Sequence, residues 1–440
     1  MIVLKFGGKA IGTPEDLGKC LEIVEAQAKR KPVVVVSAHG KATDELASLA
    51  RHALAGEIRT GGIRDYHLEL ASEFGVAAGI VDPLFTRLEA LLHGIGLVKE
   101  LTQRTMDNVL SFGERLSSRI VAASLSARGT RAVPVNSYDV GMITDSSFGH
   151  ASPLPNIEGD IKSKIEAIAE VPVVTGFIAK DRNGEITTLG RSGSDFTATF
   201  IASAVGAEEV EIWKSVDGVM TADPSLDERA RNIPKLSFEE ASELAYFGAE
   251  VLHPATLVPA ISEDIPVRVA NMLRRDDPGT VIVSKPVITS DLAKSIAYKE
   301  GVALFHLLSP RLHSVPDVLS SALAILKECG IVAHMITTGE AAISLITQSG
   351  LGDDAIGKAC ERLSGIAEVH CDRDMAIICV VGDELKGNPR SIGMIFQALA
   401  EAGVNARAIT RSASEINVAF LVPDGDLKKA VRALHTLIVS

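Results

Sequence analysis

Residues 187–224 read TTLGRSGSDFTATFIASAVGAEEVEIWKSVDGVMTADP, and a glycine-rich turn near their start holds Arg191, Ser194 and Asp195 within five positions. The residue types predict a small-residue helix from Phe196 to Val205, a strand from Val210 to Trp213, and a second turn, Lys214-Ser215-Val216-Asp217-Gly218. A strand, a glycine turn and a helix start leave unpaired N–H groups pointing outward, where the helix dipole favours an anion. An aspartate in such a turn repels a bare phosphate unless a metal, a lysine or an orienting bond stands nearby. The combination points to phosphoryl transfer rather than anion storage.

Other segments carry weaker signals. Lys5-Phe6-Gly7-Gly8 ends the first predicted strand, and its glycines permit close backbone approach to a phosphate. A lysine there can neutralise a transferring phosphoryl group; from these four residues alone, a surface lysine before an ordinary turn is the plainer reading. The Walker pattern GxxxxGK[ST] is absent. Ser37-Ala38-His39-Gly40-Lys41-Ala42-Thr43-Asp44 follows the strand VVVV, at the carboxyl end where open α/β sheets bind ligands. It also reads as a polar loop capped at Thr43 or Asp44, with His39 a loop residue rather than a catalyst. Gly113-Glu114-Arg115-Leu116-Ser117 is uninformative alone. Arg191 can grip a carboxylate with its planar fork. Asp195 can orient a transferring group, hold Lys5, or cap the helix expected near Phe196. No Ser/His/Asp triad, metal-ligand cluster or catalytic carboxylate pair stands out, and His253 reads as structural.

The elements that must position these residues follow from pattern. At 440 residues, the chain is too long for one ordinary core, so two to four domains are expected. A net charge of -12 without a basic block argues against nucleic acid. Five scattered cysteines read as core residues of a reducing cytoplasm. The opening MIVLKFGG reads as a strand rather than a targeting segment, and no apolar run of about 18 residues predicts a membrane span. Apolar runs at Met1–Phe6, Pro32–Ser37, Arg131–Val135, Val171–Thr175, Val210–Trp213 and Val267–Val269 alternate with helical patterns. This predicts a mostly parallel sheet covered on both faces. From Asp44 to about Ser118 the spacing is helical throughout. A last strand in DPGTVIVSKP closes the first part. Beyond it ALAILKECGIVAHMITTGEAAISLIT (322–347) and ALAEAGVNARAITRSASEINVAFLV (398–422) repeat a helix, glycine turn (Gly330, Gly403), strand, turn, strand unit.

Taken together and in order, KFGG, SAHGKATDEL, SFGERLS, ITDSSFGHA, TGFIA, TTLGRSGSD, EIWKSVDGVMTADP, AYFGAEVLHPAT and DIPVRVANMLRRDDPGTVI resemble the aspartate kinases of the amino acid kinase family. The repeat resembles the paired ACT modules that sense amino acids in that family. The resemblance implies an α/β fold: a three-layer αβα sandwich with a mostly parallel central sheet, plus two C-terminal α+β modules of βαββ, ferredoxin-like type. Its implied boundaries are a catalytic domain at 1–284 and a regulatory region at 285–440, with modules near 296–370 and 374–440, in series or interleaved.

The implied reaction is phosphorylation of the β-carboxylate of L-aspartate by ATP with Mg²⁺, the committing step toward lysine, threonine and methionine. By motif position, Lys5 and Asp195 are implied as catalytic. Ser37, Thr43, Glu114, Arg191 and Ser194 are implied on aspartate. Lys5, Gly7, Gly8, Lys214, Ser215, Asp217 and Met220 are implied on the nucleotide. Met335, Thr338, Glu340, Asn405 and Ile409 are implied on an amino-acid effector such as lysine or threonine. No dedicated metal ligands, no appended dehydrogenase domain and a homodimer or larger assembly through the ACT modules are expected. The chain departs from the family pattern at Lys9, Ala10, Ser192, Ser215, Met220, Ser225 and Glu250, and at Gly339 in the first module. A weakly active or inactive amino-acid sensor is the alternative these departures raise.

Overall fold

The computed structural model describes residues 1–248, 252–286, 289, 291–308, 315–340 and 342–439; Glu250 lies outside them. Two compact units result. The first comprises Met1–Val219, Pro234–Phe238 and Val251–Lys285, and the second Met220–Ile233, Glu239–Glu250 and Pro286–Ser440.

The first unit holds strands β1 (Ile2–Phe6), β2 (Pro32–Val36), β3 (Ala132–Val135), β4 (Ile143–Thr144), β5 (Val171–Thr175), β6 (Ile178–Asp181), β7 (Ile186–Thr188), β8 (Val210–Lys214), β9 (Lys235–Ser237), β10 (Val267–Asn271) and β11 (Thr280–Val283). Eight of them form one sheet in the order β3-β5-β2-β1-β8-β10-β11-β9. All its pairings are parallel except β10 with β11. β1 and β2 are buried along their whole length, as a central parallel strand covered on both faces requires. The chain runs from β1 outward through β2, then returns to β1's other side as β8, so strand order reverses at β1. Ligands bind at the carboxyl ends of such a switch point.

The covering helices are α1 (Pro14–Ala26), α2 (Ala42–Leu54), α3 (Gly61–Glu73), α4 (Asp82–Val98), α5 (Gln103–Ala127), α6 (Glu158–Glu166) and α7 (Gly193–Val205), followed by α8 (Phe238–Tyr246), which passes into the second unit after Phe238, and α9 (Pro254–Ser262). The helical stretch expected over 44–118 is present as α2 to α5. Helix α7 begins at Gly193 rather than near Phe196, because Ser192 turns the chain through φ 58° and starts the helix earlier. A small sheet, β4-β6-β7, was not expected. Its strands are two to four residues long and carry little apolar signal; the available clue was Asn183-Gly184 in the β6–β7 hairpin, with Gly184 at φ 82°.

The second unit holds β12 (Ser295–Leu308), α10 (Val315–Glu328), β13 (Ala333–Thr338), β14 (Ala342–Thr347), α11 (Asp353–Leu363), β15 (Glu368–Val381), α12 (Pro389–Glu401), β16 (Ala408–Thr410), β17 (Asn417–Pro423) and α13 (Leu427–Val439). The repeated helix-turn-strand-strand pattern is thus present twice. Its sheet runs β13-β14-β12-β15-β17-β16. β12 and β15 are 14 residues each and serve two cores. Phe305 and Leu307 pack with α10, α11 and β14, whereas Ile296 packs with α12, α13, β17 and the later half of β15. The two modules therefore share these strands, which break register near Val302, beside Gly301. The later module also takes in Ala222, Leu226 and Ala230 from the second unit's early segment.

Candidate active site

Lys5 is the penultimate residue of β1, flanked by Val35 of β2 and Ile212 of β8. Its ammonium lies 2.5 Å from Asp195 Oδ1, and Lys214 Nζ, at the end of β8, lies 3.6 Å from Asp195 Oδ2. The tips of β1 and β8 and the first turn of α7 thus bring together residues far apart in the chain. Burial pushes the Asp195 carboxyl up, but Lys5 and Lys214 outweigh it and hold the carboxyl below its ordinary range. Burial and the nearby Lys5 draw Lys214 down, and Asp195 opposes them. One carboxylate between two ammonium groups leaves the cluster with a surplus positive charge at the sheet's switch point. Asp195 is the third residue of α7, and its carboxylate faces the lysines rather than capping the helix.

The loop after β2 is clamped against the turn after β1. Ser37 N–H donates to Phe6 C=O at 3.1 Å and Gly40 N–H to Gly8 C=O at 2.9 Å. A Cβ at Gly8 would stand 2.5 Å from the Ala38 carbonyl oxygen, and one at Gly113 2.6 Å from Ala38 Cβ. Only glycine lets both neighbours approach that loop so closely. His39, expected as a loop residue, is buried; its Nδ1 donates to Ile11 C=O at 2.6 Å. It straps the two turns together, a role invisible in one isolated histidine.

Glu114, on α5, accepts from the Ala38 N–H at 3.1 Å through Oε1, while its buried Oε2 has no hydrogen-bond partner. Burial pushes its carboxyl up to about 8, against the pull of the Ala38 N–H and Lys5. A buried acid beside the Ser37 loop suits a ligand ammonium. Ser37 and Thr43 are half-buried, and Ser194 is buried. Arg191 is exposed and makes no ion pair among the described residues. Ser192 adopts the left-handed conformation that glycine takes without strain.

On the other side of β1, Gly7 lies beside the Lys5 ammonium. Asp217 accepts from Asn271 Nδ2 at 2.6 Å and pairs with Arg274 at 3.1 Å. Met272 N–H donates to Lys214 C=O at 3.0 Å, joining the turn after β10 to the Lys214 loop. Leu273, Arg274 and Asp277 line an open cavity of about 550 Å³ there. Asn271 and Arg274 were missed in the sequence, where a turn residue and a surface arginine give no sign of Asp217. Lys9 is exposed and Ala10 is buried in the core; Ser215 is exposed. The unit boundary falls between Val219 and Met220, so Lys214, Ser215 and Asp217 are counted with the first unit and Met220 with the second.

In the second unit Met335 is buried, whereas Thr338, Glu340, Asn405 and Ile409 are exposed; Met335 and Thr338 lie on β13 and Ile409 on β16, and these two strands approach one another. His253, expected as structural, accepts from the Ala255 N–H at 3.3 Å and caps α9. Among the described residues no group of three or more His, Cys, Asp or Glu side chains gathers to hold a metal ion, and no helix is long and apolar enough to cross a membrane.

The amino acid kinase family profile matches residues 1–271, and an ACT domain profile matches residues 378–437. Aspartokinase 1, chloroplastic, of Arabidopsis thaliana is 34% identical, over 98% of this chain and 79% of its own length. The crystal structure of E. coli aspartokinase III in complex with aspartate and ADP (R-state) is 28% identical, with a TM-score of 0.80 and complete coverage of both chains. The same enzyme in complex with lysine and aspartate (T-state) gives a TM-score of 0.81 at 28% identity, again covering both chains fully.

Proposed function

The chain belongs to the amino acid kinase family, among its aspartokinases, and from that premise we infer that its first unit transfers the γ-phosphoryl group of ATP to the β-carboxylate of L-aspartate. The products are 4-phospho-L-aspartate and ADP. The observation that carries the assignment of roles is the Lys5–Asp195–Lys214 cluster at the switch point, with Lys5 and Asp195 buried.

The attacking carboxylate has an ordinary pKa of about 4 and is ionised at neutral pH, so no general base is needed. The difficulty is bringing an anion onto a polyanion. Lys5 lies on the γ-phosphoryl and offsets its charge as the carboxylate oxygen bonds to phosphorus and the β,γ-bridging bond breaks toward ADP. Asp195 keeps Lys5 and Lys214 oriented, and the Gly7-Gly8 backbone lines the phosphates. Glu114 receives the ammonium of aspartate and Arg191 its α-carboxylate. Ser37, Thr43 and Ser194 complete that site, and the Lys214–Asp217 turn with Arg274 borders the nucleotide. The donor set, one carboxylate already shared by two ammonium groups, suits a Mg²⁺ held by phosphate oxygens and water. When bound, Mg²⁺ supplies further neutralisation of phosphate charge.

The second unit is the sensor of an amino-acid effector, with Met335, Thr338, Glu340, Asn405 and Ile409 as its contacts. E. coli aspartokinase III in complex with lysine supports an effector of that class. A homodimer or larger assembly through the ACT modules follows from the family and is measured by sedimentation equilibrium. Five cysteines without a disulfide support a reducing compartment, the cytoplasm.

Incubation with MgATP and aspartate, followed by hydroxylamine trapping, tests the reaction. An aspartyl hydroxamate is expected, with far less product from glutamate, N-acetylglutamate or carbamate. Absence of acyl phosphate under all conditions would instead favour the inactive-sensor reading.

A further inference from the structure

Seven residues before Glu114, two turns back on the same side of α5, stands Asp107. It is fully buried. Its Oδ2 accepts from the backbone N–H groups of Gly149 at 2.8 Å and Thr188 at 2.9 Å. Its Oδ1 accepts from Thr188 Oγ1 at 3.1 Å and from Gln103 Nε2 at 3.2 Å. Burial pushes this carboxyl up, and those four donors oppose it. Two of the donors sit on Thr188, the last residue of β7, three positions before Arg191. Gly149 belongs to the loop lying against that same strand end, where Ala151 N–H donates to Thr188 C=O at 2.9 Å.

Arg191 is exposed and has no ion-pair partner among the described residues. Its place is therefore set by the backbone that carries it, not by its side chain. That backbone is tied to α5 through Asp107, and α5 is the helix that presents Glu114. We propose that Asp107 is a positioning residue for aspartate recognition, fixing the Arg191 turn to α5 so that Arg191 and Glu114 stand one amino-acid head group apart. The inference rests on the assignment of those two residues to the substrate's α-carboxylate and ammonium.

A purely structural role predicts something different. A carboxylate that only stabilised the fold would lower the thermal midpoint without separating the two substrates. A positioning residue acts on aspartate alone, and acts through Arg191.

The test is steady-state kinetics with thermal midpoints for Asp107→Ala, Asp107→Asn, Arg191→Ala and the Asp107→Ala/Arg191→Ala double variant. Asp107→Ala is expected to raise the aspartate KM by about ten-fold or more and to leave the ATP KM within about two-fold. Asp107→Asn keeps a carbonyl acceptor for the two backbone N–H groups and recovers part of the loss; it also carries the test should the alanine variant fail to fold. In the Arg191→Ala background, removing Asp107 adds less than about two-fold, because the two act as one unit. The inference is overturned if both KM values rise together, if only the thermal midpoint falls, or if the two losses multiply. An unchanged aspartate KM in Arg191→Ala would overturn the underlying assignment instead, whatever Asp107 does.

Discussion

At the scale of single residues, charge placement decides the chemistry. Asp195 is shared by Lys5 and Lys214, so removing either lysine leaves a pair, whereas removing Asp195 leaves two like charges together. Lys5→Met and Asp195→Asn are each expected to lower kcat by about 10²–10³, the loss typical of one preorganised electrostatic contact. Near-parental turnover in either variant removes that residue from the mechanism. Glu114 gives a second prediction. Its folded pKa of about 8 lies above the ordinary 4.5, so between those values the carboxyl keeps its proton in the folded chain. The stability this group contributes is full below 4.5 and is lost as pH rises through 8. An arriving ammonium favours the carboxylate, so aspartate binding at pH 7 is expected to release a proton. Calorimetry in buffers of different ionisation enthalpy reads this release; a buffer-independent heat in the parent, or an unchanged release in Glu114→Gln, contradicts it. Ser192 gives a third. At φ 58° a non-glycine residue is strained, so Ser192→Gly is expected to stabilise the fold by up to about 1 kcal/mol, net of glycine's entropy in the unfolded chain. A lower urea midpoint would show that the serine hydroxyl compensates.

At the scale of elements, the site depends on how turns are tied to one another. His39 and His67 each donate Nδ1 to a carbonyl, Ile11 and Ile63, leaving Nε2 buried and unpartnered. Both are therefore neutral, with burial drawing His39 down to about 3 and His67 to about 4. The unfolded chain protonates them near 6.5 and the folded chain does not. Their contribution to stability is full above 6.5 and is lost as pH falls toward 4. Each histidine adds a slope of up to about 1.4 kcal/mol per pH unit across that window. His67→Phe, which keeps the packing against Phe85, is expected to flatten the acid limb of a stability–pH curve measured by urea titration. An unaltered limb would mean that His67 is protonated in the fold. The sequence showed where these turns lie but not that a histidine fastens them. A donor's partner 28 residues away is set by packing, which no local pattern encodes.

At the scale of the whole molecule, the order of residues and the grouping of residues differ. Residues 220–233 and 239–248 lie between kinase segments in sequence but pack within the second unit. There Thr221 Oγ1 meets His435 Nε2 at 2.8 Å, and His435 Nδ1 pairs with Asp227 at 2.9 Å. Glu240 is fully buried and paired with Lys294 at 2.8 Å. A chain ending at residue 285 would leave Glu240 without that cation and Asp227 without its histidine. It would also uncover Ala222, Leu226 and Ala230, which pack in the later module's core, at a cost of about 25 cal/mol per Å² of apolar surface exposed. The 1–285 fragment is therefore expected to be less stable than the full chain and to lose turnover, rather than to become a feedback-free kinase. A soluble fragment with parental kcat and KM would refute this.

The central strands were readable because a buried parallel strand must be a continuous apolar run, and β1, β2, β5 and β8 appear within one or two residues of their runs. The reaction was readable because Lys5, Glu114, Arg191 and Asp195 stand inside motifs whose order matches a family. The small β4-β6-β7 sheet was not, since its short strands gain their stability from neighbours rather than from periodicity. Nor was the choice between modules in series and modules interleaved through shared strands β12 and β15: each strand's alternation is satisfied equally by one core or two. Asp107 is the clearest case. A helical aspartate reads as solvated until the fold folds two loops onto it, because hydrogen bonds at long sequence separation exist only once tertiary packing has brought their donors together.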